Sequence, residues 1–267
     1  MPSVRINNHD MYYEIHGKGE PLICIGGWGT FCHGAEGNLA RGLTDRYSVL
    51  LIDYRGIGES SDDLDVEPTT LLYAQDIIAL FDHLGWKNVR FVGLVGMGAC
   101  VAQEVAIHRP DLVRCMVNTA CWIKMDTFLQ DQLELFLVMH KESGFLEFQR
   151  YCTLMSFLPD YYNQNKDRLL GPKGVWSELN GRYQAHERLV RACISHDTSE
   201  RLDQIKAPTL VAHSGQDQMT GPRTTLPLEM GLPNAEGVMM EEVAHIVAGK
   251  EQKILFSEIL LGFLKRH

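Results

Sequence analysis

The stretch Phe91 to Val113, FVGLVGMGACVAQEVAIHRPDLV, decides how this chain folds. A short apolar run closes at Gly93, a glycine-rich turn follows, and the small residues of Met97 to His108 then recur at helical spacing. A strand delivered into a helix in this way is the repeating unit of a parallel sheet. The turn between them holds no Ser, Cys or Asp, although reactive side chains are usually found at such a place.

Working outward, the same alternation recurs. Further strand-like runs are PLICIGG, YSVLLIDY, RCMVNTA, PTLVAHSG and EGVMMEE, and helical periodicity marks Thr70 to Leu84 and a final amphipathic segment, Lys250 to Leu264. Continuous apolar runs between helices predict an α/β fold: a mainly parallel central sheet with helices on both faces. DMYYEIHG and PLICIGG are expected to form an opening antiparallel hairpin turned at GKGEP. From Lys124 to Leu202 the sequence is helix-like and rich in Phe, Tyr, Met and Leu, with no convincing strand. The expected division is therefore a core of residues 1–123 and 203–267, with residues 124–202 inserted as a helical lid.

Composition narrows the function. A chain of 267 residues, 45% hydrophobic, suffices for one core with an insertion. A net charge of −9, with no Lys/Arg run, argues against nucleic acid as a partner. The seven cysteines include no CxxC pair, so neither zinc nor a redox pair is expected and the thiols read as reduced core residues. The amino-terminal sequence has no basic-then-apolar leader, and no run of eighteen apolar residues occurs. These features predict a soluble cytoplasmic protein, not membrane-bound, with a small-molecule substrate, no cofactor and no metal, possible as a homo-oligomer.

Candidate functional residues lie in the loops after the strands, where an open parallel sheet gathers its ligands. Gly26, Gly27 and Gly29 in CIGGWGTF let backbone approach a ligand closely. DYRGIGESS supplies Asp53, Arg55 and two turn glycines, and reads equally as a plain loop. Asp217 follows one strand in HSGQDQMTGP, and His245 follows the last in MEEVAHIVAGKEQ. Together they are candidates for an imidazole held by a carboxylate, although Asp217 would also suit a turn cap.

This ordered set resembles the α/β-hydrolase fold superfamily over essentially the whole chain: GG at the oxyanion-hole loop, DYRGIGES, the elbow at 91–108, a lid, GQD and a late AH. In that family the order is nucleophile, acid, His, with the nucleophile on a G-x-S-x-G elbow. In this chain the elbow departs. Counted back from the helix, the nucleophile position is Gly96; counted forward from Gly93, it is Val95; neither carries an oxygen or sulfur. Cys100, Thr30 and Cys32 are outside candidates for a substitute.

The resemblance implies His245 as general base, Asp217 as its orienter, the N–H groups of Trp28 and Met97 as oxyanion donors, and Gly27, Val95 and Trp122 near the substrate. Within the superfamily, LIDYRGIGES, NTACWIKMDTF and SGQDQMTGP are similar to the RutD group of pyrimidine utilisation, which implies aminoacrylate or carbamate-like chemistry. The expected function is attack on a small activated carbonyl compound (carbamate, amide, ester or dicarbonyl) by His-activated water, or abstraction of a substrate proton, without a Ser acyl-enzyme. Two alternatives stand beside it: a non-catalytic binding protein on the same fold, as the N-myc downstream-regulated family implies, and an ordinary Ser hydrolase disabled by Ser-to-Gly change. A dinucleotide site fits poorly, because the glycines read G-x-x-G-x-G.

Overall fold

The structure is a computed structural model that describes residues 3–30 and 32–267. Its strands are β1 (Ser3–Ile6), β2 (His9–His16), β3 (Glu20–Ile25), β4 (Tyr47–Ile52), β5 (Val89–Gly93), β6 (Val113–Thr119), β7 (Thr209–Ser214) and β8 (Ala235–Met240). They form one sheet in the order β1-β2-β4-β3-β5-β6-β7-β8. From β4 to β8 every pairing is parallel, as the buried apolar runs predict, and β1 and β2 add an antiparallel edge.

The opening hairpin is not where the sequence placed it. β2 and β3 are not neighbours: β2 pairs with β4, and both edges of β3 are taken by β4 and β5. The hairpin instead joins β1 to β2 through Asn7 and Asn8, both left-handed (φ 41° and 65°). Two successive positive φ values at Asn are the signature of a tight hairpin turn. GKGEP carries the chain from the sheet edge to its interior, a crossing that no local pattern announces.

DYRGIGESS is a clamp on that edge. Ser60 Oγ accepts from the Tyr12 N–H and Ser61 Oγ from the Asp10 N–H, at 2.9 and 2.8 Å. The fully buried Arg55 donates to both oxygens of Asp76, at 2.7 and 2.8 Å, and to the Asn7 carbonyl.

The helices follow their predicted spans closely. α1 (Thr70–Leu84) begins where Thr69 Oγ1 accepts from the Leu72 N–H and ends on the left-handed Gly85, α2 is Met97–His108, and α8 is Lys250–Arg266. Strand alternation sends Ile23 and Ile25 to one face, where they pack with α1 and α2, and Leu22 and Cys24 to the other, against Phe256, Leu260 and Phe263 of α8. Between β6 and β7 lie α3 (Thr127–Val138), a π-helical turn (Met139–Ser143), α4 (Phe145–Ser156), α5 (Pro159–Leu169) and α6 (Tyr183–Ser195). Phe136, Phe148 and Leu189 of these helices are fully buried and belong to the same apolar cluster as Ile25, Trp28 and Tyr73. α7 (Gly221–Gly231) completes the crossover to β8.

Two glycines explain the small-residue pattern of the opening stretch. A Cβ on Gly98 would run into the Ile25 carbonyl, and one on Gly93 would stand 2.6 Å from Ala99 Cα. Helix and sheet thus touch backbone to backbone. Gly98→Ala is expected to destabilise the chain by about 2–3 kcal/mol, read as a lower urea midpoint at constant slope.

Candidate functional site

The acid loop and the histidine loop are tied before any side chain is considered. Gly215 N–H donates to the Met240 carbonyl at 3.0 Å and Gln216 N–H to the Val243 carbonyl at 2.9 Å, so the exits of β7 and β8 are held together. Across this junction His245 Nδ1 lies 3.0 Å from Asp217 Oδ2.

Asp217 makes the contacts that both readings of its sequence position call for. Oδ1 accepts from the N–H groups of Met219 and Thr220, at 2.8 and 3.1 Å, which closes the turn into α7. Oδ2 faces His245 and also accepts from Thr220 Oγ1 at 2.6 Å. Burial alone would raise the carboxyl's pKa, but His245 and the Thr220 and Met219 donors together hold it well below the usual carboxylate range. Asp217 is therefore ionised at neutral pH. Thr220 Oγ1, which donates to Asp217 Oδ2 and lies 3.3 Å from His245 Nδ1, is a contact of this pair that sequence reasoning missed. An Asp followed three residues later by a Thr before a helix could have revealed it.

At the elbow the residue reached by counting back from the helix lies at a left-handed turn. Gly96 is the residue before α2, with φ 72° and ψ −84°. The count from Gly93 differs because one extra residue is accommodated there: Val95 is itself left-handed, φ 53°, an uncommon state for a β-branched side chain. The pair is pinned by the Val95 N–H on Thr119 Oγ1 and the Gly96 N–H on the Thr119 carbonyl, both 3.3 Å.

A side chain at Gly96 would find its place taken. Its Cβ would lie 2.7 Å from Trp122 Cζ3 and 3.2 Å from the Ala120 carbonyl. The buried Trp122 indole fills the space that a side chain on Gly96 would enter.

Trp28, Gly96, Met97, Trp122, Trp176 and His245 surround a cavity of about 30 Å³, with Val95 and Thr220 also in its wall. Such a volume holds one or two water molecules. Gly27 packs behind it: a Cβ there would meet the Val95 carbonyl at 2.6 Å, so this glycine sets the approach of two loops. Of the two expected oxyanion donors, the Trp28 N–H has no acceptor among the described residues, whereas the Met97 N–H is turned back onto the Val95 carbonyl at 2.9 Å. The γ-turn created by ψ −84° at Gly96 is the reason, and Met97 does not donate into the cavity in this conformation.

The outside candidates fall away from the cavity. Cys100 is fully buried, its Sγ 3.7 Å from the Trp122 carbonyl, and burial pushes its thiol pKa far up. Cys32 Sγ lies 3.4 Å from the Gly29 carbonyl, and its thiol is likewise raised by burial. Thr30 is not in the cavity wall. Cys32, His33 and Asp53 do form a compact cluster, but both the ring Nδ1 and the backbone N–H of His33 are committed to Asp53, at 2.9 and 2.8 Å. All seven cysteines are buried and unpaired.

His196 is structural. It lies buried 2.8 Å from Thr70 Oγ1, and burial, with Arg201 nearby, lowers its pKa to about 3. The unfolded imidazole takes a proton near 6.5, the folded one only near 3, so the unfolded state binds more protons between those values. Stability is therefore expected to fall as pH drops from about 6.5 towards 3. Replacing His196 with Gln should flatten the dependence of Tm on pH in that window.

The chain matches the α/β-hydrolase fold family over residues 20–251. A protein of Azorhizobium caulinodans named as carbamate hydrolase RutD is 27% identical over 266 residues, covering 98% of each chain. A protein of the same name from Agrobacterium fabrum is 24% identical, covering 95% of this chain and 98% of its own. Among solved structures, the α/β-hydrolase enzyme MGS-M2 from a Medee basin deep-sea metagenome superposes with a TM-score of 0.87 at 23% identity, covering 99% of this chain and 97% of that one. The enol-lactonase of Burkholderia xenovorans gives 0.86 at 19% identity, over 99% and 100% of the two chains. None of the helices among the described residues is long and apolar enough to cross a membrane. With the sheet order, the left-handed elbow and the matched span in agreement, this chain belongs to the α/β-hydrolase fold family.

Proposed function

We propose that this chain is a hydrolase for a small activated carbonyl compound (carbamate, amide, ester or dicarbonyl), with His245 as general base towards water and no acyl-enzyme at the elbow. The observation that carries this reading is the contact of His245 Nδ1 with the ionised Asp217 at the wall of a water-sized cavity beside Gly96. An imidazole that donates Nδ1–H to a carboxylate keeps its lone pair on Nε2. Nε2 takes a proton from water, the hydroxide adds to the carbonyl carbon, and the imidazolium returns the proton to the leaving group. Asp217 stabilises the imidazolium between those steps.

The Trp28 N–H receives the developing oxyanion. For Met97 to join it, the Gly96–Met97 peptide must turn off the Val95 carbonyl, a rotation that glycine permits. The same dyad would abstract a proton from a 1,3-dicarbonyl. The likeness to proteins named carbamate hydrolase supports the carbamate among these substrates.

One observation favours the non-catalytic alternative: three tryptophans close the cavity to about 30 Å³, less than any such substrate occupies without side-chain movement. The test is turnover of a panel of carbamates, activated esters, lactones and dicarbonyls by the wild type and His245→Ala. Turnover that vanishes with His245 supports the enzyme. No turnover by the wild type, or turnover indifferent to His245, overturns the dyad reading.

A further inference from the structure

Beyond the elbow, on the sheet face covered by α8, lies a second and much larger cavity of about 630 Å³. A space of that size admits a small organic molecule in full. Leu43, Leu94, Phe256 and Leu260 give it apolar sides. Its lining also includes Val95, Thr119 and His245, and Val95 and His245 are also walls of the water-sized cavity. The strained Val95, φ 53°, thus stands between the two spaces.

The lining also carries charge. Arg41, Lys250 and Lys253 line the cavity and are exposed to solvent. None of the three pairs with a carboxylate among the described residues, and Glu258 is the one acidic side chain in the wall. On a chain of net charge −9, three such cations in the lining of one largely apolar channel are a local reversal of sign. An apolar interior excludes small hydrated anions, and a cationic rim gives no advantage to a neutral hydrocarbon.

We infer that this channel binds a straight-chain carboxylate of medium length, its head at Lys250 and Lys253, one turn apart at the start of α8, and its chain running inward to Val95 and His245. Burial of each added methylene then strengthens binding until the chain meets that inner wall. Such binding does not depend on whether the dyad is catalytic.

Titration calorimetry on the full chain with acetate, octanoate, decanoate and decanol tests it. Acetate is expected to give no heat, and octanoate and decanoate one site each, with affinity rising roughly tenfold for each two methylenes added. Lys250→Glu/Lys253→Glu should weaken decanoate at least about tenfold while leaving decanol unchanged. Ser257→Trp, which projects an indole from α8 into the channel, should abolish binding. Ala40→Trp fills it from the facing loop, should the first variant fail to fold by circular dichroism. Absence of decanoate binding to the wild type overturns the inference, as does binding unaffected by the charge reversal or by both tryptophans.

Discussion

Replacing His245 with Ala is expected to lower kcat/KM for an activated carbamate or ester about 10³-fold, with no change in fold. The loss should fall on kcat, because the imidazole moves a proton in the transition state and contributes little to holding the ground state. Asp217→Asn should cost a similar factor for a different reason. Its carbonyl oxygen can still accept from Met219 and Thr220, so the turn into α7 survives, but the amide offers His245 Nδ1 a donor where it needs an acceptor. The imidazole then holds its proton on the wrong nitrogen. Steady-state kinetics with circular dichroism on both variants checks this; activity in Asp217→Asn near that of the wild type would contradict the orientation argument.

Gly96→Ser is expected to destabilise the chain by about 2–4 kcal/mol and to create no acylating enzyme. The serine would have to adopt φ 72° while its Cβ stands 2.7 Å from the Trp122 ring. Restoring the missing hydroxyl therefore conflicts with the group that has taken its space. Combining Gly96→Ser with Trp122→Leu removes the obstructing ring atoms. In that pair, mass spectrometry after exposure to an activated ester should detect an acyl adduct that is absent from the wild type. An adduct on the wild-type chain, or a Gly96→Ser variant of undiminished stability in urea, would refute the steric account of the elbow. The same distances bear on whether this chain is simply a disabled Ser hydrolase: reversal of one residue leaves the indole and the additional left-handed Val95 in place.

The sheet was legible wherever burial wrote continuous apolar runs, and α1 and α2 because a capping Thr, a terminal glycine and small-residue spacing mark their ends. The edge was not. β1 is only four residues long and half exposed, so it carries little pattern, and the partner of β2 is set by a crossover between distant segments. For the candidate site, the pairing of Asp217 with His245 was legible because each follows a strand in a fixed order. What Trp122 does could not be found. Its indole meets Gly96 across a separation of twenty-six residues, through a second left-handed turn at Ala120, φ 53°. The direction of the Met97 N–H was equally hidden, since it depends on one ψ angle at a glycine, the residue whose ψ sequence constrains least.

The apolar cluster that runs without a break from the sheet into α3, α4 and α6 has a kinetic consequence. Trp28 of the core rests edge-on against Phe136 and tilted on His186, both in the inserted helices. Were these helices to lift as a rigid flap, that whole seam would be exposed to water, at roughly 25 cal/mol for every Å² of apolar surface uncovered. A molecule that enters the water-sized cavity is therefore expected to do so through smaller gestures, the swing of an indole or the slide of one helical turn. If the proposed dyad turns over there, its pace is expected to follow how often Trp28, Trp122 and Trp176 step aside.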